Sequence, residues 1–410
     1  MSKAPKLRFK EFSGDWEQKK FKDIYNVKSG YGFKLNEYSS TGIPLIKIDN
    51  IGYGRIKWDN ISYLPEEYKD SYSDIVLEKD DILLALNRPI TNNKLKIAML
   101  KETDIPAILY QRVGKIIVDK TCNKLFSYYL LNNVVFDFVL RESKGSDQPF
   151  ISTEELKKVK FNIPLIEEQE KIASFFSLID NKISLQGEKV EALKGYKKGM
   201  IQKIFSRELR FKDDDGRDYP EWGHKKLNRI VERITRKNKG TICTLPLTIS
   251  AQYGLVDQVI FFNKTVASAN LEGYYLLEKG EFAYNKSYST GYPFGAIKRL
   301  DRYDRGVLSS LYICFSILDG VDSDFLVQYF ETSCWHKEIS MIAVEGARNH
   351  GLLNISVSDF FETYHWIPCY DEQVKIGKFL GKIDEKINKE QEKLDFLNKY
   401  KKGLLQQMFV

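Results

Sequence analysis

The stretch Ile163–Phe205, IPLIEEQEKIASFFSLIDNKISLQGEKVEALKGYKKGMIQKIF, occurs a second time as Ile367–Phe409, IPCYDEQVKIGKFLGKIDEKINKEQEKLDFLNKYKKGLLQQMF. The offset is 204 residues with no gap, and 20 of the 43 positions are identical. A repeat of this size is read before any local motif, because it sets which parts of the chain are comparable. In the first copy Ile172, Phe176, Ile179, Ile183, Val190, Leu193, Met200 and Ile204 alternate at spacings of four and three. Ile376, Leu380, Ile383, Ile387, Leu394, Leu397, Leu404 and Met408 keep the same frame in the second. This is the apolar seam of a heptad helix. It is interrupted at matching places by Gln186 and Glu390, and by Lys197 and Lys401. Pro164 and Pro368 stand just ahead of the helices, where a missing N–H costs nothing. Glu167, Glu168, Asp371 and Glu372 put negative charge at the positive end of each helix dipole. Each predicted helix is roughly 38 residues and about 57 Å long, at about 1.5 Å per residue. One such helix cannot bury its seam alone. Two equal seams bury each other most simply, and the chain between them must return, which predicts an antiparallel coiled coil. The competing reading packs each stripe on its own neighbouring domain.

The front of the repeat recurs as well. Leu7-Arg8-Phe9-Lys10 precedes Trp16 and Lys19-Lys20-Phe21, while Leu209-Arg210-Phe211-Lys212 precedes Trp222 and Lys225-Lys226-Leu227. The chain is therefore two halves, about 1–206 and 207–410, each a lead-in, a body and a long helix. Pseudo-symmetry places the first lead-in near the end of the last helix. The first body opens on the turn Ser29-Gly30-Tyr31-Gly32-Phe33. Strand-like runs follow at 43–48, 75–77, 82–86, 97–100 and 116–118, then a helical pattern at 123–141. The second body has strand-like runs at 245–250, 259–262, 281–284, 296–298 and 311–315, and a helix at 323–341. Both bodies read as mixed α/β, and the fold class is α+β with an internal pseudo-twofold. Similar helices carrying dissimilar bodies suggest one scaffold with two readers.

The 410 residues allow about two to four domains. A hydrophobic share of 43% and an aromatic share of 13% can fill several cores. The net charge of +7, from 63 basic and 56 acidic residues, permits a polyanionic partner without demanding one. Cys122, Cys243, Cys314, Cys334 and Cys369 form no CxxC pair, which argues against a disulfide framework or zinc site and for a reducing compartment. No apolar run is long enough for a membrane span, so a cytoplasmic protein is expected.

With these residues in place, the chain resembles the specificity (S) subunit of type I restriction–modification systems. The match is carried by the tandem halves and by the repeated IP-x-x-x-EQ-x-KI opening at Ile163–Ile172 and Ile367–Ile376. It is carried too by Tyr-Lys-Lys-Gly at 196–199 and 400–403, LRFK ahead of Trp16, the Gly30 turn, and GEFAYNKS at 280–287. The resemblance implies target-recognition domains at 1–162 and 207–366, each reading one half of a split duplex DNA site. It implies spacer helices at 163–206 and 367–410 that dock two methyltransferase (M) subunits, with restriction (R) subunits joining the larger complex. S-adenosylmethionine, ATP and Mg are then expected in the partner subunits and none in this chain.

The chemistry of the residues agrees with a non-catalytic chain. There is no Pro-Pro pair of the kind an amino-methyltransferase loop needs, and no phosphate loop, since Gly114-Lys115 and Gly381-Lys382 are each followed by Ile. His224, His336, His350 and His365 lack metal-ligand spacing. Reading DNA needs Arg, Lys, Asn and Gln on exposed loops. Candidates are Asn87, Arg88, Asn92, Asn93, Lys94, Gln111 and Arg112 in the first body. In the second they are Asn285, Lys286, Ser287, Tyr288, Arg348, Asn349 and His350. Any of these can equally be a solvated turn residue. Tyr31 and Phe33 are assigned to the core. Lys197-Lys198 and Lys401-Lys402 invite phosphate contact, yet Lys197 and Lys401 lie on the seam frame, where a polar residue can fix register. The rival function is a coiled-coil adaptor presenting two protein-binding domains.

Overall fold

The structure, a computed structural model, describes residues 4–142, 150–264, 266–268, 270–343 and 353–409. It divides into two compact units, residues 1–186 with 393–410, and residues 187–392. The division falls within both long helices, Ile166–Phe205 and Tyr370–Met408. Each unit thus owns one body and one half of each helix.

In the first unit a four-stranded antiparallel sheet runs in the order Tyr25–Ser29, Val113–Val118, Ile82–Ala85, Ile97–Met99. A second sheet, in the order Ser62–Leu64, Ile43–Ile46, Ala107–Leu109, Val76–Leu77, contains one parallel pair. Gly30 sits where the chain passes against the second sheet, and a Cβ there would lie 2.0 Å from the Leu109 carbonyl oxygen. Phe33 is buried in the second core as expected, but Tyr31 keeps 51% of its surface exposed. The first core buries Trp16, Phe21, Phe126, Tyr129 and Leu130 together with Ile172, Phe176, Leu404, Met408 and Phe409. The helix Lys124–Glu142 therefore packs on the stripes of both long helices. The Leu7 N–H donates to the Gln407 carbonyl at 3.0 Å, which puts the first lead-in on the end of the last helix, as the repeat predicts.

The second unit repeats the sheet order with Val231–Arg233, Ile313–Ile317, Phe282–Asn285 and Ala296–Arg299. Its core gathers Ile204, Trp222, Phe325, Tyr329, Ile376, Leu380 and Ile383. His365 is enclosed here, its ring nitrogens 2.8 Å from the hydroxyls of Tyr329 and Thr363. Burial lowers its pKa to about 4, so the ring is neutral at pH 7.

Two sequence expectations are corrected. Val259–Phe262 is not a strand but most of a helical turn, Gln258–Phe262, whose cap Asp257 accepts from the Val259 and Ile260 N–H groups. The helix expected at 323–341 is two, Ser323–Phe330 and His336–Ile342. Thr332 ends the first by donating to the Tyr329 carbonyl and accepting from Cys334 N–H, and buried Trp335 donates to the Phe330 carbonyl at 3.1 Å.

The seam residues form the less exposed stripe of each helix. Ile172, Phe176, Val190, Ile376, Leu380 and Ile383 are buried, while Ile179, Ile183, Leu193, Ile387, Leu394 and Leu397 are half-buried. Near the helix ends the stripe is shared with the body, as where Phe176 meets Tyr129 at 5.1 Å between ring centres. The interrupting lysines are explained by reciprocal pairs. In the first unit Lys401 binds Asp180; in the second Lys197 binds both oxygens of Asp384 at 2.6 and 2.7 Å. Asp180 and Asp384 are themselves one repeat apart, so each lysine meets the aspartate of the other copy.

Candidate nucleic-acid interface

The first-body candidates gather at one end of the first sheet. Ile82–Ala85 pairs with Val113–Val118, and beyond the last pair the Leu86 N–H donates to the Arg112 carbonyl at 2.9 Å. Asn87 bridges to Phe150, and Gln111 N–H donates to the Tyr31 carbonyl at 3.0 Å. Arg88 and Arg112 therefore emerge from adjacent strands at the same edge. Both are exposed, and among the described residues neither makes an ion pair. Both hold left-handed backbone, with φ of 47° and 66°. Such conformations cost non-glycine residues about 1–3 kcal/mol and collect at binding sites.

Asn92 and Asn93 form the tip of a hairpin between Ile90–Thr91 and Lys94–Leu95. Their φ angles of 51° and 56° are those of a type I′ turn, which Asn tolerates and which matches strand twist. Tyr53 braces the hairpin by donating to the Thr91 carbonyl at 3.0 Å. Its own position is set by backbone pairing with Ile97. Sequence reasoning missed Tyr53 and Lys57. The available signal was an aromatic between two glycines, Gly52-Tyr53-Gly54, followed by Arg55 and Lys57.

In the second unit Asn285 ends a strand and accepts from the Ser287 N–H at 3.0 Å. Tyr288 is 61% exposed. Asn285, Ser287 and Tyr288 line a cavity of about 340 Å³ with Gln252 and Phe261, two residues the sequence reading did not single out. Lys286 turns away from this cavity and donates to the Ile355 carbonyl at 3.2 Å, and burial lowers its pKa. Arg348, Asn349 and His350 lie outside the described residues.

The strongest repeated motifs serve the scaffold. Arg8 of the first LRFK donates through Nε and Nη2 to both oxygens of Glu168, each at 2.7 Å. Arg210 of the second does the same to Glu372 at 2.8 and 2.9 Å. The carboxylates are buried, and each pair raises its arginine's pKa. The neighbouring glutamines clamp the helix starts. Gln169 donates to the Pro164 carbonyl and accepts from Asn123 N–H; Gln373 donates to Pro368 and accepts from Asp322 N–H. Among the described residues no group of His, Cys, Asp and Glu could hold a metal ion. No helix there is long and apolar enough to cross a membrane.

These features define a class, a two-unit α+β protein with amide- and arginine-bearing loops on a helical scaffold. The family described as Type I restriction modification DNA specificity domain matches residues 13–194. The chain is 40% identical over 205 residues to the type I restriction enzyme MjaVIII specificity subunit of Methanocaldococcus jannaschii, covering 50% of this chain and 48% of that one. It is 30% identical over 165 residues to the EcoAI specificity subunit of Escherichia coli, covering 40% and 28%. The chain thus spans about half or less of the length of these relatives, which are named as specificity subunits and not as catalytic chains. The fold is similar to the type I restriction–modification S subunit of M. genitalium, at 14% identity, 99% coverage of both chains and a TM-score of 0.59. A chain solved in work on assembly and conformational transition of the type I R-M system matches at 14% identity, a TM-score of 0.53 and 96% and 97% coverage.

Proposed function

We propose that this chain is the non-catalytic specificity subunit of a type I restriction–modification complex, acting in the cytoplasm. Each unit reads one part of a bipartite duplex target. The two long helices form an antiparallel coiled coil with pseudo-twofold symmetry that spaces the readers and docks two M subunits, with R subunits joining. S-adenosylmethionine, ATP and Mg belong to those partners. The observation that carries the reading is the sheet end of the first unit, where Arg88 and Arg112, without an ion pair among the described residues, stand at the same end as the Asn92–Asn93 hairpin. Arginine can bond guanine O6 and N7, and asparagine adenine N6 and N7, in the major groove. The adaptor reading draws on one observation, the turn Gln258–Phe262, where Ile260 is 79% exposed and Phe261 and Phe262 are 44% and 43% exposed.

Duplex affinity of the chain with its cognate partners, measured across salt, separates the two. With about six phosphate contacts, affinity falls roughly 10³-fold between about 50 and 200 mM salt. An affinity that is flat with salt, or no duplex binding at all, supports the adaptor instead.

A further inference from the structure

Lys57 and Lys94 both approach the ring of Tyr53, their Nζ atoms 5.9 and 5.6 Å from its centre. Both are exposed, and among the described residues neither pairs with a carboxylate. A ring face holds an exposed ammonium with only about 0.5–1 kcal/mol. Two ammonium groups gathered at one ring therefore leave a local positive charge that the protein does not neutralise. Tyr53 and Lys94 also border a groove of about 680 Å³ within the first unit, whose wall continues through Asn93, Asn132 and Asn133 to Lys402. Lys402 is exposed and unpaired among the described residues, whereas Lys401 is neutralised by Asp180. Asp137 is the one carboxylate on the groove wall. Leu130, Val134, Phe136 and Leu405 form its apolar floor, and its other polar side chains are lysines, amides and two tyrosines, groups that can donate to phosphate oxygens.

We propose that this groove is a clamp for the sugar–phosphate backbone of duplex DNA beside the part of the target read by the first unit. Lys57, Lys94 and Lys402 contact phosphates, and Tyr53 is the positioning residue that gathers two of them and tethers the hairpin. Duplex DNA is the favoured occupant because the groove continues from the Asn92–Asn93 tip, whose strand begins two residues after Arg88. The inference rests on the DNA-reading function proposed above.

The test uses the full chain with its partners and reads the slope of log affinity against log salt. Lys57→Gln with Lys94→Gln makes the slope shallower by about 1.8, at about 0.9 per phosphate contact, and leaves the selected sequence unchanged. Tyr53→Ala moves the slope the same way, and Tyr53→Phe, which keeps the ring but loses the bond to the Thr91 carbonyl, restores most of it. A steep wild-type slope that the double variant leaves unchanged overturns the clamp alone. Loss of partner capture in the double variant at an unchanged slope assigns the lysines to a protein contact and overturns it too. A wild type that binds no duplex removes the underlying reading as well.

Discussion

Glu372→Ala is expected to destabilise the second unit by about 3 kcal/mol, the low end of what breaking a buried ion pair costs. The carboxylate is 1% exposed and accepts from Arg210 twice and from Trp222 Nε1 at 3.2 Å. Removing it leaves an indole N–H and a guanidinium without their main acceptor beside a packed core. The loss stays at the low end because Arg210 retains 19% of its surface in water and keeps bonds to the Tyr219 and Pro220 carbonyls. For a unit of this size the melting temperature falls by roughly 6–12 °C, at about 2–4 °C per kcal/mol. Glu372→Gln keeps an acceptor and should lose less. Thermal unfolding of the three proteins checks this; equal melting temperatures would mean that the Arg–Glu pair is not what ties the lead-in to the helix start.

Replacing Arg88 and Arg112 together by alanine is expected to lower specific duplex affinity by roughly 30-fold or more, at about 1–3 kcal/mol for each base-reading pair. Preference at one half of the target should relax while the other half stays. The stability arm runs the other way. At φ of 47° and 66° glycine relieves left-handed strain, so Arg88→Gly and Arg112→Gly should be close to neutral for folding. Affinity and site selection by the variants, beside their melting curves, decide it. Unaltered selection at both halves would make the two arginines solvated turn residues.

The helices were legible because their signal is local and repeated. A four-three spacing over two copies survives without knowledge of any partner, and the lead-in repeats led to the contact between Leu7 and Gln407. The seam lysines were ambiguous because their partners lie in the other copy, and only folding brings Asp180 to Lys401 and Asp384 to Lys197. The Val259–Phe262 run misled because four apolar residues carry no period, although Asp257 ahead of it was a usable cap signal. The pairing of Glu17–Lys20 with Lys160–Ile163 was not legible, since Glu17–Lys20 is wholly polar and its partner lies across most of a unit. The arginine and asparagine loops could be nominated by residue type. Their convergence, and the part of Tyr53 and Lys57, depend on strand pairing that brings Tyr53 to Ile97.

The claim that two separate readers sit on one scaffold is tested most directly by exchanging residues 222–362 for the matching body of a relative. The exchanged chain is expressed with its cognate methyltransferase, and the methylated sites are mapped across a genome. The account predicts a new bipartite motif in which one half has changed and the other is retained. A motif changed in both halves, or unchanged in both, would contradict it.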